Sequence, residues 1–90
     1  SVGKQCLIGA NAGIGIALGD NCTVEAGLYV TAGTKLTLLD ENNDTVKLVK
    51  ARELNGQSGL LFRRNSINGT VECQSNRSAI ELNEALHSHN

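Results

Sequence analysis

The stretch Glu25-Ala26-Gly27-Leu28-Tyr29-Val30-Thr31-Ala32-Gly33-Thr34-Lys35-Leu36 decides the fold of this 90-residue chain. Its Val30 and Leu36 belong to a series of aliphatic residues that recur every six positions. The series shifts phase once, by a four-residue step after Ile14, and comprises Val2, Ile8, Ile14, Leu18, Val24, Val30 and Leu36. A helix repeats about every 3.6 residues and a strand about every 2. A period of six therefore indicates flat faces of extended chain that alternate with sharp corners.

The corners of this repeat carry residues that suit tight backbone geometry, namely Asn11, Gly13, Asn21, Gly27 and Gly33. Three faces make one coil of about eighteen residues, so residues 1–36 are expected to form roughly two coils of a parallel solenoid. Solenoids need several coils and capped ends, and the pattern is already in phase at Val2. The sequence therefore predicts further coils before residue 1 and places this chain at the C-terminal end of a longer protein.

A phosphate-binding glycine loop is the main alternative for residues 9–15, which contain three glycines. A dinucleotide fingerprint needs a strand before it and a helix after it. The sequence after Gly15 continues the six-residue pattern and contains no amphipathic helix. The repeat is therefore the better interpretation of this segment.

Composition and charge exclude several classes of function. Aromatic residues make up 2% of the chain, the formal net charge is −1, and no apolar run has transmembrane length. We therefore expect no nucleic-acid partner and no membrane partner. The three cysteines, Cys6, Cys22 and Cys73, form no CxxC pair. They are expected to be free, buried thiols in a reducing cytoplasm.

Residues 37–90 follow the repeat and differ from it in pattern, so we predict two regions, solenoid coils at 1–36 and a C-terminal hairpin region at 37–90. The first predicted hairpin has strands at 37–39 and 46–49 around a solvated acidic turn. The second has strands at 60–67 and 70–73 around the turn signal Asn68-Gly69. A short helix is predicted at 79–86, with Ser78 as its N-cap and Glu81 three residues later.

The most informative charged residues are Arg63 and Arg64, with Lys35 and Lys50 as predicted neighbours. Adjacent strand residues face opposite sides, so one arginine can meet a ligand while the other pairs within the protein or with a neighbouring subunit. Guanidinium groups match phosphate geometry well. The alternative is a solvated strand in which one arginine pairs with an internal carboxylate, Glu53 or Glu72.

Small residues along the solenoid leave backbone groups accessible to an extended polyamide arm. Ala10, Ala26 and Gly33 are such positions, although ordinary corner residues would have the same size. His87 and His89 form an H-x-H pair, for which a frayed tail is the better interpretation than a metal site. The solenoid segment itself contains no histidine, which argues against the γ-type carbonic anhydrases.

Several longer motifs carry a resemblance to a known family. They are Glu25 to Lys35, Val49-Lys50-Ala51-Arg52-Glu53-Leu54, Leu60-Leu61-Phe62-Arg63-Arg64-Asn65-Ser66 and Leu82-Asn83-Glu84-Ala85-Leu86-His87. Together they resemble the C-terminal third of the tetrahydrodipicolinate N-succinyltransferase family, in its actinobacterial form, within the hexapeptide-repeat acyltransferases. The resemblance covers nearly the whole chain, and only residues 40–46 and 73–79 match loosely.

This resemblance implies a left-handed parallel β-helix, a homotrimer with sites between subunits, and a cytoplasmic enzyme of lysine and diaminopimelate biosynthesis. It implies succinyl transfer from succinyl-CoA to the amino group of tetrahydrodipicolinate. By motif, the succinyl-CoA contacts would be Ala10, Glu25, Ala26, Gly33, Lys50, Arg63, Arg64, Asn65 and Ser66.

The family's catalytic glutamate and its metal-contacting acidic residues belong to motifs that would lie upstream of residue 1. No residue here matches either motif, so we predict a partial cofactor site, no catalytic residue and no metal site in this segment. The remaining alternatives are another hexapeptide acyltransferase that uses acetyl-CoA and a non-catalytic trimerisation module.

Overall fold

The computed structural model describes residues 1–87. Most of its secondary structure is strand. A 3₁₀ helix occupies Ala51–Leu54. The other elements, in chain order, are β1 Leu7–Ile8, β2 Gly13–Ile14, β3 Thr23–Val24, β4 Tyr29–Val30, β5 Lys35–Leu39, β6 Thr45–Lys50, β7 Leu60–Arg64, β8 Val71–Ser75 and α1 Ala79–His87. The mainly β fold with a short terminal helix is thus confirmed.

Residues 1–30 form stacked coils whose short strands pair in parallel. Ile8 pairs with Val24 between β1 and β3, and Ile14 pairs with Val30 between β2 and β4. Each pair joins residues sixteen positions apart, so the predicted coil of about eighteen residues is two residues too long. The difference arises because the four-residue step from Ile14 to Leu18 replaces one full hexad within the coil.

The chain leaves the solenoid after residue 36 and later returns to it. Strand β7 pairs in parallel with β3, so that Val24 lies opposite Phe62. Strands from both predicted regions form one six-stranded sheet with the order β1-β3-β7-β8-β5-β6, while β2 and β4 form a separate two-stranded sheet. The division at residue 36 stays a prediction, but the hydrogen-bonded sheet runs across it without a break.

Both predicted hairpins are present, β5 with β6 and β7 with β8. The sequence predicts that the first strand of the second hairpin continues to Ile67, but β7 ends at Arg64. The reason is Asn65, whose side-chain oxygen accepts the amides of Ile67 at 2.9 Å and Asn68 at 3.2 Å and bends the chain into a turn.

The sequence predicts a solvated acidic turn in the first hairpin, but one carboxylate of this turn is buried. Asp40 is buried, and its carboxylate accepts the backbone amides of Asn42 at 2.8 Å and Asp44 at 3.0 Å. Asn43, between these two residues, has a positive φ of 66°. Asp40 therefore shapes the turn by taking up amides that would otherwise lack a partner.

A single apolar core lies between the solenoid, the sheet and the terminal helix. It centres on Phe62, with Leu38, Cys22 and Cys73 also completely buried. The other buried apolar members are Ile16, Leu18, Val24, Leu28, Val30, Leu36, Val49, Ala51, Leu54, Leu60, Leu82 and Leu86. In contrast, Val2 and Ile8 of the first coil are exposed.

The terminal helix begins with the predicted capping box. The Ser78 hydroxyl accepts the Glu81 amide at 3.2 Å, and the Ser78 amide donates to the Glu81 carboxylate at 3.3 Å. Leu82 and Leu86, one turn apart, fasten the helix to the core.

The three cysteines are free thiols, and burial differs among them. Cys22 and Cys73 are buried, whereas Cys6 is half-buried. Burial raises the pKa of the Cys73 thiol strongly and that of Cys22 also, because an apolar surrounding disfavours the thiolate. The two buried thiols are therefore core residues rather than nucleophiles.

Candidate functional site

Ala10 and Ala26 lie at equivalent corners of successive coils. The Gly27 amide donates to the Ala10 carbonyl at 2.8 Å. A Cβ atom on Gly9 would collide with the Ala26 backbone, so the two corners are in direct contact. Both alanine side chains are exposed. The corners thus form a strip of small residues along one edge of the solenoid.

Arg64 lies near this strip, just beyond the point where β7 pairs with β3. The Glu25 amide donates to the Phe62 carbonyl at 2.9 Å, next to the Val24–Phe62 pair. Arg64 lies two residues beyond that pair, where the ladder has ended and its backbone amide donates to the Glu25 carboxylate at 3.4 Å. Arg64 is therefore next to the corner that carries Ala26, although the two residues are far apart in the sequence.

Glu25 links the strip to the basic strand. Its exposed carboxylate accepts the backbone amide of Arg64 at 3.4 Å. The Arg64 guanidinium donates through Nη1 to the Gly69 carbonyl at 2.7 Å, and the side chain remains exposed. Most of its donors therefore face solvent, where an anion can reach them.

Arg63 is half-buried and pairs with other side chains of the protein. Its Nε lies 3.1 Å from Glu72 Oε1, and its Nη2 donates to Asn43 Oδ1 at 3.0 Å. The adjacent arginines thus differ, since Arg63 pairs with an internal carboxylate whereas Arg64 is exposed. Of the two internal partners considered from sequence, the structure places Arg63 on Glu72. The Glu53 carboxylate instead accepts the Lys50 amide at 2.8 Å.

Asn65 and Ser66 form the turn that follows Arg64. The Asn65 amide nitrogen donates to Glu72 Oε2 at 3.1 Å, and the Asn65 backbone amide donates to the Thr70 carbonyl at 2.8 Å. Asn65 is half-buried, whereas Ser66 is exposed at the tip. Asn65 therefore shapes the turn, and Ser66 is the more accessible of the two.

Lys35 and Lys50 lie directly opposite each other on β5 and β6. Like charges in this arrangement repel, so a nearby anion would be favourable there. Thr37, two residues after Lys35, is paired with Glu72 of β8. The lysine pair consequently lies at the same end of the sheet as the turn after Arg64.

Gly33 is exposed at the corner that precedes Lys35. The carbonyls on either side of it, those of Ala32 and Thr34, accept amides from the 3₁₀ helix at 2.9 Å and 2.8 Å. A Cβ atom at Gly33 would meet no atom within 4 Å. The surface above Gly33 is therefore open.

The structure thus places the sequence-predicted residues in two groups, one around the Ala26 corner and Arg64 and the other around Gly33 and the Lys35–Lys50 pair. The sequence did not predict that Glu72 or Asn43 belongs to the site. Glu72 was considered only as an alternative salt-bridge partner. Neither lies in a recognisable motif, and only the pairing of β8 with both β5 and β7 brings Glu72 to the site. Within residues 1–87, no three metal-ligating side chains of His, Cys, Asp or Glu come together. The predicted H-x-H tail lies outside the described side chains.

Comparison with known proteins relates this chain to one family of enzymes. The profile described as the hexapeptide repeat of succinyl-transferase matches residues 1–32. The 2,3,4,5-tetrahydropyridine-2,6-dicarboxylate N-succinyltransferase of Pseudomonas putida is 75% identical over 99% of this chain. The chain matches the hexapeptide-repeat succinyltransferases over nearly its whole length. The enzymes of the same name from Pseudomonas aeruginosa and Vibrio cholerae are 73% and 60% identical over the whole chain.

A solved structure in the same family has the same fold. A Campylobacter jejuni protein named as a 2,3,4,5-tetrahydropyridine-2-carboxylate N-succinyltransferase superposes with a TM-score of 0.76 at 41% identity, over 96% of this chain and 23% of its own. The predicted succinyltransferase family and hexapeptide fold are confirmed. None of these relatives is actinobacterial, so that subtype stays a prediction.

This chain spans 26% of the length of the curated succinyltransferases that it matches. Within residues 1–87, no helix is both long enough and apolar enough to cross a membrane.

Proposed function

We propose that this chain is the cofactor-binding, C-terminal part of a tetrahydrodipicolinate N-succinyltransferase. The whole protein would transfer succinyl from succinyl-CoA to the amino group of tetrahydrodipicolinate, in cytoplasmic lysine and diaminopimelate biosynthesis. The identity of 75% with an enzyme of that name supports this assignment.

The observation that carries the proposal is that Ala10 and Ala26 lie at stacked corners and that Arg64 lies next to the second of these corners, held by Glu25. Small exposed corners leave backbone amides and carbonyls open to an extended polyamide such as the pantetheine arm. The exposed guanidinium of Arg64 stands at one end of this strip and suits a phosphate. A thioester carrier with an amide arm and a phosphorylated head has this same order of groups.

Lys50, Gly33 and Ser66 extend the proposed contact. The Lys35–Lys50 pair concentrates positive charge at the end of the sheet that also carries the turn after Arg64. Its repulsion would fall when phosphate binds between or beside the two ammonium groups. Gly33 leaves the neighbouring surface free of side-chain atoms.

Glu25 acts in this proposal as a binding residue and not as the catalyst. Its carboxylate accepts the Arg64 amide and so belongs to the edge that holds the cofactor. The catalytic glutamate and any metal-contacting residues of the whole enzyme would come from other parts of its chain.

The proposed assembly is a homotrimer. Leu7 and Tyr29 support it, because these large apolar side chains on the outside of the coils are 70% and 69% exposed. Sedimentation equilibrium of the natural full-length protein tests this, with a trimer mass expected and a monodisperse monomer contradicting it.

Thiol release from succinyl-CoA by the natural full-length protein tests the proposed reaction. Release that depends on tetrahydrodipicolinate is the expected result. Acetyl-CoA serves as the matched donor, and preference for it would favour a different hexapeptide acyltransferase. If neither donor releases thiol, the proposed activity is wrong and a trimerisation module becomes the better interpretation.

A further inference from the structure

Glu72 on β8 connects the two residues that flank Arg64 in sequence. Its Oε1 lies 3.1 Å from Arg63 Nε, and its Oε2 accepts from Asn65 Nδ2 at 3.1 Å. The Glu72 side chain is 14% exposed. One partly buried carboxylate therefore fixes the residues before and after the exposed guanidinium.

Asn65 connects Glu72 to the rest of the turn through hydrogen bonds. While its Nδ2 is held by Glu72, its Oδ1 accepts the amides of Ile67 and Asn68. Its carbonyl accepts the Gly69 amide at 2.8 Å, and the Gly69 carbonyl in turn accepts from Arg64. The position of the Arg64 guanidinium thus depends on a turn whose amide orientation Glu72 sets.

A carboxylate is the side chain that this geometry requires. Both of its partners are donors, the Nε of Arg63 and the Nδ2 of Asn65, and a carboxylate offers two acceptor oxygens. A glutamine at position 72 would offer one acceptor and one donor. With its oxygen on Arg63, that glutamine would turn a donor towards Asn65, which would have to turn its amide over and deprive the Ile67 and Asn68 amides of their acceptor. With its oxygen on Asn65, the glutamine would turn a donor towards Arg63 and the ion pair would be lost.

We propose that Glu72 is a positioning residue for the phosphate-binding side of the cofactor site, acting through Arg63 and Asn65. This inference rests on the proposed function and goes beyond it, since Glu72 itself is negative and would repel a phosphate. Its contribution is to hold the turn that presents Arg64 and Ser66.

Titration calorimetry with CoA on the natural full-length protein tests the proposal. Glu72→Gln should raise the dissociation constant about tenfold, because hydrogen bonds to charged groups are lost around the turn. Glu84→Gln, an exposed carboxylate on α1, is the matched control and should bind like the wild type. With succinyl-CoA saturating, kcat of Glu72→Gln should stay within about twofold of the wild type, which separates positioning of the cofactor from loss of folded enzyme.

The double variant Asn65→Asp with Glu72→Gln provides the rescue. The introduced aspartate would accept both from the introduced glutamine amide and from the Ile67 and Asn68 amides, and the net charge equals that of the wild type. The affinity of the double variant for CoA should return to within about threefold of the wild type, whereas Asn65→Asp alone opposes two carboxylates and should bind more weakly. A merely structural role for Glu72 predicts no such reciprocity.

Unchanged CoA affinity in folded Glu72→Gln would overturn the inference and leave the proposed function standing. If that variant does not fold, Glu72→Asp takes its place, since it keeps the charge but is one methylene too short to reach both partners, and unchanged affinity there would equally overturn the inference. A wild-type protein that does not bind CoA would overturn the proposed function and this inference together.

Discussion

Val24 and Phe62 are direct neighbours in a parallel ladder, although the chain leaves the solenoid and forms a complete hairpin between them. Phe62, the single phenylalanine of the sequence, thereby fills the next rung above Val24. Both side chains are essentially inaccessible to solvent. This pairing also fixes where Arg64 lies, because Arg64 is two residues further along the same strand.

Replacing Phe62 by Ala should destabilise the protein by about 3–5 kcal/mol, since a completely buried aromatic ring leaves a cavity that the β-sheet cannot close. Urea unfolding followed by circular dichroism measures this change. Leu48→Ala, at a position that is 77% exposed, should change stability by less than about 0.5 kcal/mol. Equal effects of the two substitutions would contradict the placement of Phe62 in the core.

Gly9→Ala and Gly33→Ala should differ strongly. A Cβ at Gly9 would collide with the Ala26 backbone, so we expect a loss of about 1–3 kcal/mol on thermal unfolding. A Cβ at Gly33 meets open space, and the fold should tolerate it. Because Gly33 belongs to the proposed contact surface, CoA affinity of the folded Gly33→Ala variant should nevertheless fall. Unchanged affinity would remove Gly33 from the site.

Ser78→Ala should destabilise the terminal helix by about 1 kcal/mol, because the Glu81 amide loses its acceptor. Chemical unfolding measures the change. Ser78→Asp is the matched variant, since an aspartate can also accept this amide, and it should retain most of the stability. If Ser78→Ala and Ser78→Asp lose the same amount, the hydroxyl does not cap the helix.

The buried Cys73 thiol should make stability fall at alkaline pH. Its pKa in the folded protein lies well above its ordinary value near 9, because burial disfavours the thiolate. Below about pH 9 both states keep the proton, and above it only the unfolded state loses it, so stability decreases as pH rises. Cys73→Ala should reduce this slope by up to about 1.4 kcal/mol per pH unit.

Unfolding free energies measured between about pH 8 and 10.5 test that slope. Ser75→Ala, another buried but non-titrating side chain, should lower stability equally at every pH. Parallel curves for the wild type and Cys73→Ala would show that the thiol contributes nothing to the alkaline loss.

The regular parts of this fold could be predicted because their signals are local. The hexad series from Leu18 to Leu36 marks buried positions, and Asn68-Gly69 and Ser78 mark a turn and a cap. The register of β7 on β3 could not be predicted, since nothing near Phe62 shows that its partner is Val24. Non-local pairing of this kind depends on how the whole core packs.

In the candidate site, too, local features could be predicted from the sequence and non-local pairing could not. Strand alternation predicted that Arg63 and Arg64 face opposite sides, so that one of them could pair within the protein. Which carboxylate receives Arg63 depended on the β7–β8 register, which places Glu72 directly opposite. The burial of Asp40 could not be predicted either, because an acidic residue in a polar turn gives no local sign that its oxygens will accept backbone amides.

Titration of the natural full-length protein with CoA, comparing the wild type with Arg64→Ala, tests most directly whether this edge holds the cofactor. Lys4→Ala removes an exposed positive charge of the first coil and is the matched control. We expect Arg64→Ala to raise the dissociation constant about tenfold or more, with the oligomer and the fold intact, and Lys4→Ala to leave it unchanged. An affinity that is the same in the wild type and in folded Arg64→Ala would contradict the proposed cofactor site.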